Sequence, residues 1–130
     1  MGDWLKEVYE RQGWAVEVLV PVPLSRRRAQ KRGFNQAALL ADALSSRTDL
    51  PVDSSSLQRV EDTRSQVGLG PHERWKNVEH VFKVGSKSFT DMDVLIVDDL
   101  FTTGATLSAC AIAIRASGAR SITGLTIARA

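Results

Sequence analysis

Asp98 and Asp99 stand side by side at the end of an unbroken aliphatic run, Val94-Leu95-Ile96-Val97, and Thr102, Thr103, Gly104, Ala105 and Thr106 follow three residues later. Adjacent carboxylates each raise the cost of ionising the other, so the pair calls for a positive or hydrogen-donating partner. A metal ion or the hydroxyls of a ribose would meet that need. The plainer alternative has one acid capping the next loop and the other solvated. The Thr-Gly run sharpens the reading, because Gly104 admits a backbone closed to other residues and a helix begins directly after it. Backbone N–H groups, hydroxyls and the helix dipole would converge on one point, an anion site suited to a phosphate monoester. A threonine-capped helix start explains one hydroxyl and leaves the others without a reason.

A second cluster is cationic. Arg26, Arg27, Arg28, Lys31 and Arg32 fall within seven residues that hold no acid; the remaining 12 basic residues are outnumbered by 15 acidic ones, although the whole chain carries +2. Such a patch suits a phosphate-bearing partner, small molecule or nucleic acid, and its arginines would act as bidentate donors; an arginine run serves equally as a solvated face. Between Glu61 and Asn77 the chain has Gly68, Gly70 and Pro71 among Arg64, Gln66, Arg74 and Lys76, too few apolar residues for core. A connection that long in a small domain usually binds or covers something, so a flexible lid is expected over about 61–77, with Arg64 and Arg74 as its site-facing cations.

These groups need a scaffold. Val94–Val97 has the continuous aliphatic pattern of a central parallel strand buried on both faces, ending at the acid pair. Leu107, Cys110, Ala111 and Ile114 recur at helical spacing, Gly118 supplies a stop, and 122–128 reads as a further strand, so strand, loop, helix and strand form one βαβ unit. Upstream, Trp4, Leu5, Val8 and Tyr9 mark a helix ending at Gly13. Val16 to Val20 forms a strand that Pro21 and Pro23 terminate, and Asn35 caps a helix carrying Ala37, Leu40, Ala41 and Leu44. Short strands are expected over 57–60 and around Val81, Phe82 and Val84. The fold class that follows is α/β, a mostly parallel central sheet flanked by helices, in one domain over 1–130 with its site at the carboxyl ends of the strands.

Composition narrows the function classes. The chain has 130 residues, 43% hydrophobic and 25% charged, which excludes disorder, collagen-like sequence and a fibrous coiled coil. Its one cysteine, Cys110, forms no disulfide within the chain and no CxxC zinc site, and fits a small core side chain. With no apolar run of the roughly 20 residues a bilayer needs, a cytoplasmic protein without membrane contact is expected. An aliphatic strand ending in Asp-Asp also suits a P-loop ATPase, but no GxxxxGK[ST] loop precedes it.

The thirteen residues Val94 to Thr106 closely resemble the phosphoribosyl pyrophosphate fingerprint of type I phosphoribosyltransferases. The resemblance implies that Asp98 and Asp99 hold the ribose 2′ and 3′ hydroxyls, as catalytic residues and Mg²⁺ ligands, while Thr102, Thr103, Gly104, Ala105 and Thr106 cradle the 5′-phosphate. Val20-Pro21-Val22-Pro23-Leu24, Arg32-Gly33-Phe34-Asn35-Gln36-Ala37 and the order of Gln66, Leu69, Arg74 and Asn77 are similar to the ComF competence proteins. That resemblance implies a pyrophosphate loop at Val22, Pro23, Leu24, Ser25 and Arg26, a closing loop bearing Arg64 and Arg74, and compatibility with a homodimer. The cysteine-rich N-terminal zinc segment usual in that family has no counterpart here. The expected activity is transfer of a phosphoribosyl group from phosphoribosyl pyrophosphate, with Mg²⁺, to a nitrogen acceptor. The alternative is a non-catalytic nucleotide-sugar-binding module in DNA uptake that works with single-stranded DNA or a DNA-processing protein.

Overall fold

A computed structural model describes residues 2–24, 34–60, 81–85, 88–101 and 103–129. Its elements in chain order are α1 (Gly2–Gln12), β1 (Val18–Pro21), α2 (Gln36–Thr48), β2 (Leu57–Arg59), β3 (Phe82–Val84), β4 (Asp93–Phe101), α3 (Ala105–Ala116) and β5 (Ser121–Arg129). The expected lid, 61–77, and the basic cluster from Arg26 to Arg32 lie outside the described residues.

The main sheet is parallel, in the order β1-β4-β5, with Val18 opposite Val94 and Val94 opposite Ile122. Residues 51–53 extend it beyond β1: Leu19 donates its N–H to the Pro51 carbonyl and accepts from Asp53 N–H, both at 2.9 Å. β2 and β3 form a separate antiparallel ribbon.

Val94, Leu95, Ile96 and Val97 are all at most 1% exposed, as a strand covered on both faces requires. Because successive side chains point to opposite faces, the sheet sorts its residues into two cores. Leu19, Leu95, Val97 and Leu125 meet Leu40, Ala41 and Leu44 of α2, with Val8 and Tyr9 of α1 behind them. Val18, Val20, Val94 and Ile96 meet Ala109, Cys110 and Ile114 of α3, together with Leu57 and Phe82 of the ribbon.

Two differences from the pattern expected of the sequence have physical reasons. β4 does not end at Asp98 but runs on to Phe101, because β5 continues beside it and pairs Asp98 with Thr126 and Leu100 with Ala128. α2 ends before Pro51, at Asp49 in a left-handed conformation (φ 60°), whose N–H closes onto the Ser45 carbonyl at 2.9 Å.

At the amino end of the sheet the three strand starts are clamped. Arg120 grips Asp93 with Nε on Oδ1 at 3.1 Å and Nη2 on Oδ2 at 2.6 Å, Ser121 Oγ donates to Asp93 Oδ1 at 2.6 Å, and Arg120 Nη2 also reaches Glu17 Oε1 at 2.9 Å. The backbone joins in, with Glu17 N–H donating to the Asp93 carbonyl at 2.9 Å and Asp93 N–H to Glu17 Oε1 at 3.0 Å. The Arg120 and Ser121 hydrogen bonds hold the Asp93 carboxyl down at about 2 against an ordinary 3.8. A depressed carboxyl contributes stability that is complete above its unfolded value and disappears as pH falls through its folded one. Asp93→Asn is therefore expected to lower the melting temperature by several degrees at pH 7, with the deficit closing between pH 4 and pH 2; a constant deficit across a thermal-melt pH series would contradict this account.

Candidate functional site

Parallel pairing of β1 with β4 sends the loops that follow both strands to the same edge of the sheet. Val22, just past β1, is held on both sides of its peptide: its N–H donates to the Val97 carbonyl at 2.9 Å, and its carbonyl accepts from Asn35 Nδ2 at 3.1 Å. The same Asn35 side chain accepts the Ala37 N–H at 3.0 Å as the cap of α2. One residue thus ties the loop Val22–Leu24 to the helix behind it and keeps it beside the end of β4.

Asp98 and Asp99 occupy that end of β4, both part-buried. Asp99 N–H donates to Asp98 Oδ1 at 2.9 Å. Burial, followed by the hydrogen bond shared with the Asp99 carboxyl, pushes Asp98 up from 3.8 to about 6. Asp98 also bears on α3, where burial and then the Asp98 charge push the Cys110 thiol up to about 12. Cys110 is fully buried and inert, a small core residue as its place on the helical stripe implies.

The loop from β4 into α3 turns on Gly104, which has φ 81° and forms the N-cap without any side-chain bond. A side chain there would be strained, so glycine is what lets the strand pass directly into a helix. Thr103 Oγ1 accepts the Ala105 N–H at 3.2 Å, which orders the turn, while Thr103 and Thr106 are exposed. The first turn of α3 therefore faces outward beside the acid pair with no side chain closing it, the arrangement in which a helix start attracts an anion.

The structure brings together Val22, Pro23, Leu24, Asp98, Asp99, Thr103, Gly104, Ala105 and Thr106 along one edge. Ser25, Arg26, Arg64, Arg74 and Thr102 lie outside the described residues. Sequence reasoning missed the second bond of Asn35, and it missed Arg59 and Lys83 of the ribbon, which line a cleft against Pro23 and Leu24. A register alignment of the two short strands would have placed them. Among the described residues no helix is long and apolar enough to cross a membrane.

Asp98 offers a test by stability alone. Its carboxyl is raised in the folded chain, so folding is favoured below about pH 4 and that contribution is lost as pH rises through about 6. Asp98→Asn, which cannot ionise, should be more stable than the parent at pH 8 by on the order of 1 kcal/mol once solvent screening is allowed for. The gap should vanish near pH 4 in chemical denaturation; a destabilised variant at pH 8 would mean that the carboxylate is well satisfied.

No protein-family model matches the chain. It is 37% identical over 116 residues to competence protein F of Haemophilus influenzae, covering 88% of this chain and 51% of that protein. It is 35% identical over 113 residues to competence protein ComFC of Bacillus subtilis (86% and 44%), and 34% identical over 104 residues to the DNA utilization protein YhgH of Salmonella typhi (80% and 45%). The chain spans about half the length of these relatives. Among solved structures, a purine phosphoribosyltransferase from Pyrococcus horikoshii superposes with a TM-score of 0.62 at 20% identity, over 98% of this chain and 70% of that one. The adenine phosphoribosyltransferase of Leishmania tarentolae gives 0.63 at 17%, over 98% and 55%. The chain is a homologue of the competence protein F and ComFC proteins, and its fold is that of the type I phosphoribosyltransferases.

Proposed function

We propose that the chain binds phosphoribosyl pyrophosphate together with Mg²⁺ and transfers its phosphoribosyl group to a nitrogen acceptor, releasing pyrophosphate. The observation that carries this reading is the acid pair at the end of β4 set directly against an outward-facing, glycine-started helix. The ribose hydroxyls would donate to Asp98 and Asp99, and the 5′-phosphate would sit over the first turn of α3. Thr103 and Thr106 would supply hydroxyls there, and the dipole would favour the dianion.

Displacement of pyrophosphate at C1 passes through a sugar with oxocarbenium character. Positive charge then grows next to a carboxylate that burial has left short of partners, so Asp98 attracts the transition state more strongly than the neutral ribose. Among the described residues no three carboxylate, thiol or imidazole groups cluster as a metal cage. Two adjacent carboxylates instead fit Mg²⁺ in the way it is commonly held, by one or two acids and the phosphates of its substrate. When bound, that ion would neutralise the leaving pyrophosphate.

The names of the relatives favour a second reading, a nucleotide-sugar-binding module serving DNA uptake or utilization, with a DNA-processing protein or single-stranded DNA as partner. Calorimetric titration with phosphoribosyl pyrophosphate, with and without Mg²⁺, followed by a pyrophosphate-release screen over purine, pyrimidine and amine acceptors, separates the two. Binding with release is the outcome expected of a transferase; binding without release from any acceptor supports the module; no binding rejects both. Affinity should fall as pH drops through about 6 and Asp98 takes up a proton. The double change Asp98→Asn with Asp99→Asn should abolish binding while the fold still melts cooperatively.

A further inference from the structure

A cleft of about 450 Å³ opens between the loop after β1 and the β2–β3 ribbon. One wall is Pro23 and Leu24, which follow directly on Val22 and its bond to Val97, the residue before the acid pair. The other wall presents Ser54, Gln58, Arg59 and Lys83. We infer that this cleft receives the pyrophosphate end of the donor, with Arg59 and Lys83 as the cations that hold it; the inference rests on the donor reading given above and adds two residues to that site.

The charge of the cleft points to an anion. Arg59 and Lys83 line it, and no acid does among the described residues. The nearest acid in sequence, Asp53, turns onto its own loop: Oδ1 accepts the N–H groups of Ser55 at 3.1 Å and Ser56 at 2.9 Å, and Oδ2 the Ser56 hydroxyl. Those bonds outweigh its burial and hold its carboxyl below the ordinary value, so it stays ionised and occupied there.

The ribbon also fixes how the cations are presented. Its register sets Gln58 opposite Lys83 and Arg59 opposite Phe82, and the Arg59 guanidinium lies 5.5 Å from the centre of the Phe82 ring. Stacking takes up the guanidinium face and directs its N–H groups outward in their own plane, the geometry that meets phosphate oxygens in pairs. Leu57 and Phe82 anchor the ribbon in the core against α3, so these cations ride on a rigid element. Pro23 and Leu24 bring no charge of their own; a pyrophosphate lying along them would find its counter-charge across the cleft.

The test titrates three ligands, phosphoribosyl pyrophosphate, ribose 5-phosphate and magnesium pyrophosphate, into the parent chain and into Arg59→Gln and Lys83→Gln. Arg59→Lys and thermal melts serve as fold controls. Each glutamine variant should bind phosphoribosyl pyrophosphate and pyrophosphate at least tenfold more weakly, with ribose 5-phosphate unchanged. Parent-like affinity for phosphoribosyl pyrophosphate in both variants would overturn the cleft and leave the donor site standing, as would an equal loss of ribose 5-phosphate in folded variants. If the parent binds neither sugar phosphate, the donor reading fails separately. Pyrophosphate binding that depends on Arg59 and Lys83 would then still support the cleft, and its absence would overturn it.

Discussion

Every part of the molecule described above hangs on β4. Its four aliphatic residues are sealed by α2 on one face and by α3 with the ribbon on the other, and its backbone is paired on both edges. A strand so enclosed can turn polar only at its ends, so the chain must place charge at Asp93 or beyond Val97. Parallel pairing then decides what that charge meets. The carboxyl end of β4 is joined by the loop that follows β1, and the same direction of travel puts the start of α3 next to it.

The acids at the two ends of β4 show how environment separates identical groups. Asp93 is met by a guanidinium and a hydroxyl and is held near 2; Asp98, half-buried beside another carboxyl, is pushed to about 6. The difference lies in partners and not in chain position, since both belong to one rigid strand. A protein spends its satisfied acid where the strand starts need locking together and leaves the dissatisfied one at the edge where a ligand arrives. The cost of keeping Asp98 ionised without a partner falls away when hydroxyl donors or a positive charge are supplied, which makes the same group a source of binding energy.

Much of this was legible in the residues. The run Val94–Val97, the helical stripe through Cys110 and Ile114, and the cap at Asn35 all follow from local pattern, because a strand buried on both faces and an amphipathic helix each carry a distinct period. The site loop was legible for the same reason, since Gly104 and its threonines are adjacent in sequence. What was not legible depended on register. Glu17, Asp93, Arg120 and Ser121 are scattered over more than a hundred positions and meet only because three strand starts align. Arg59 and Lys83 likewise sit on strands of three residues, too short to announce a face.

The chemistry proposed for the edge makes unequal demands on the parts of a site. Departure of pyrophosphate needs the sugar held, the phosphates neutralised and water kept away, whereas bond formation needs a nitrogen nucleophile aimed at C1. Asp98, Asp99 and the start of α3 address the first demand from within one βαβ unit. A chain that met it without aiming an acceptor would bind the donor and protect it, and its output would pass to whichever partner sensed the bound state. Transferase and binding module are therefore two uses of one donor site, separated by whether a nucleophile reaches the face of the ribose opposite the leaving group.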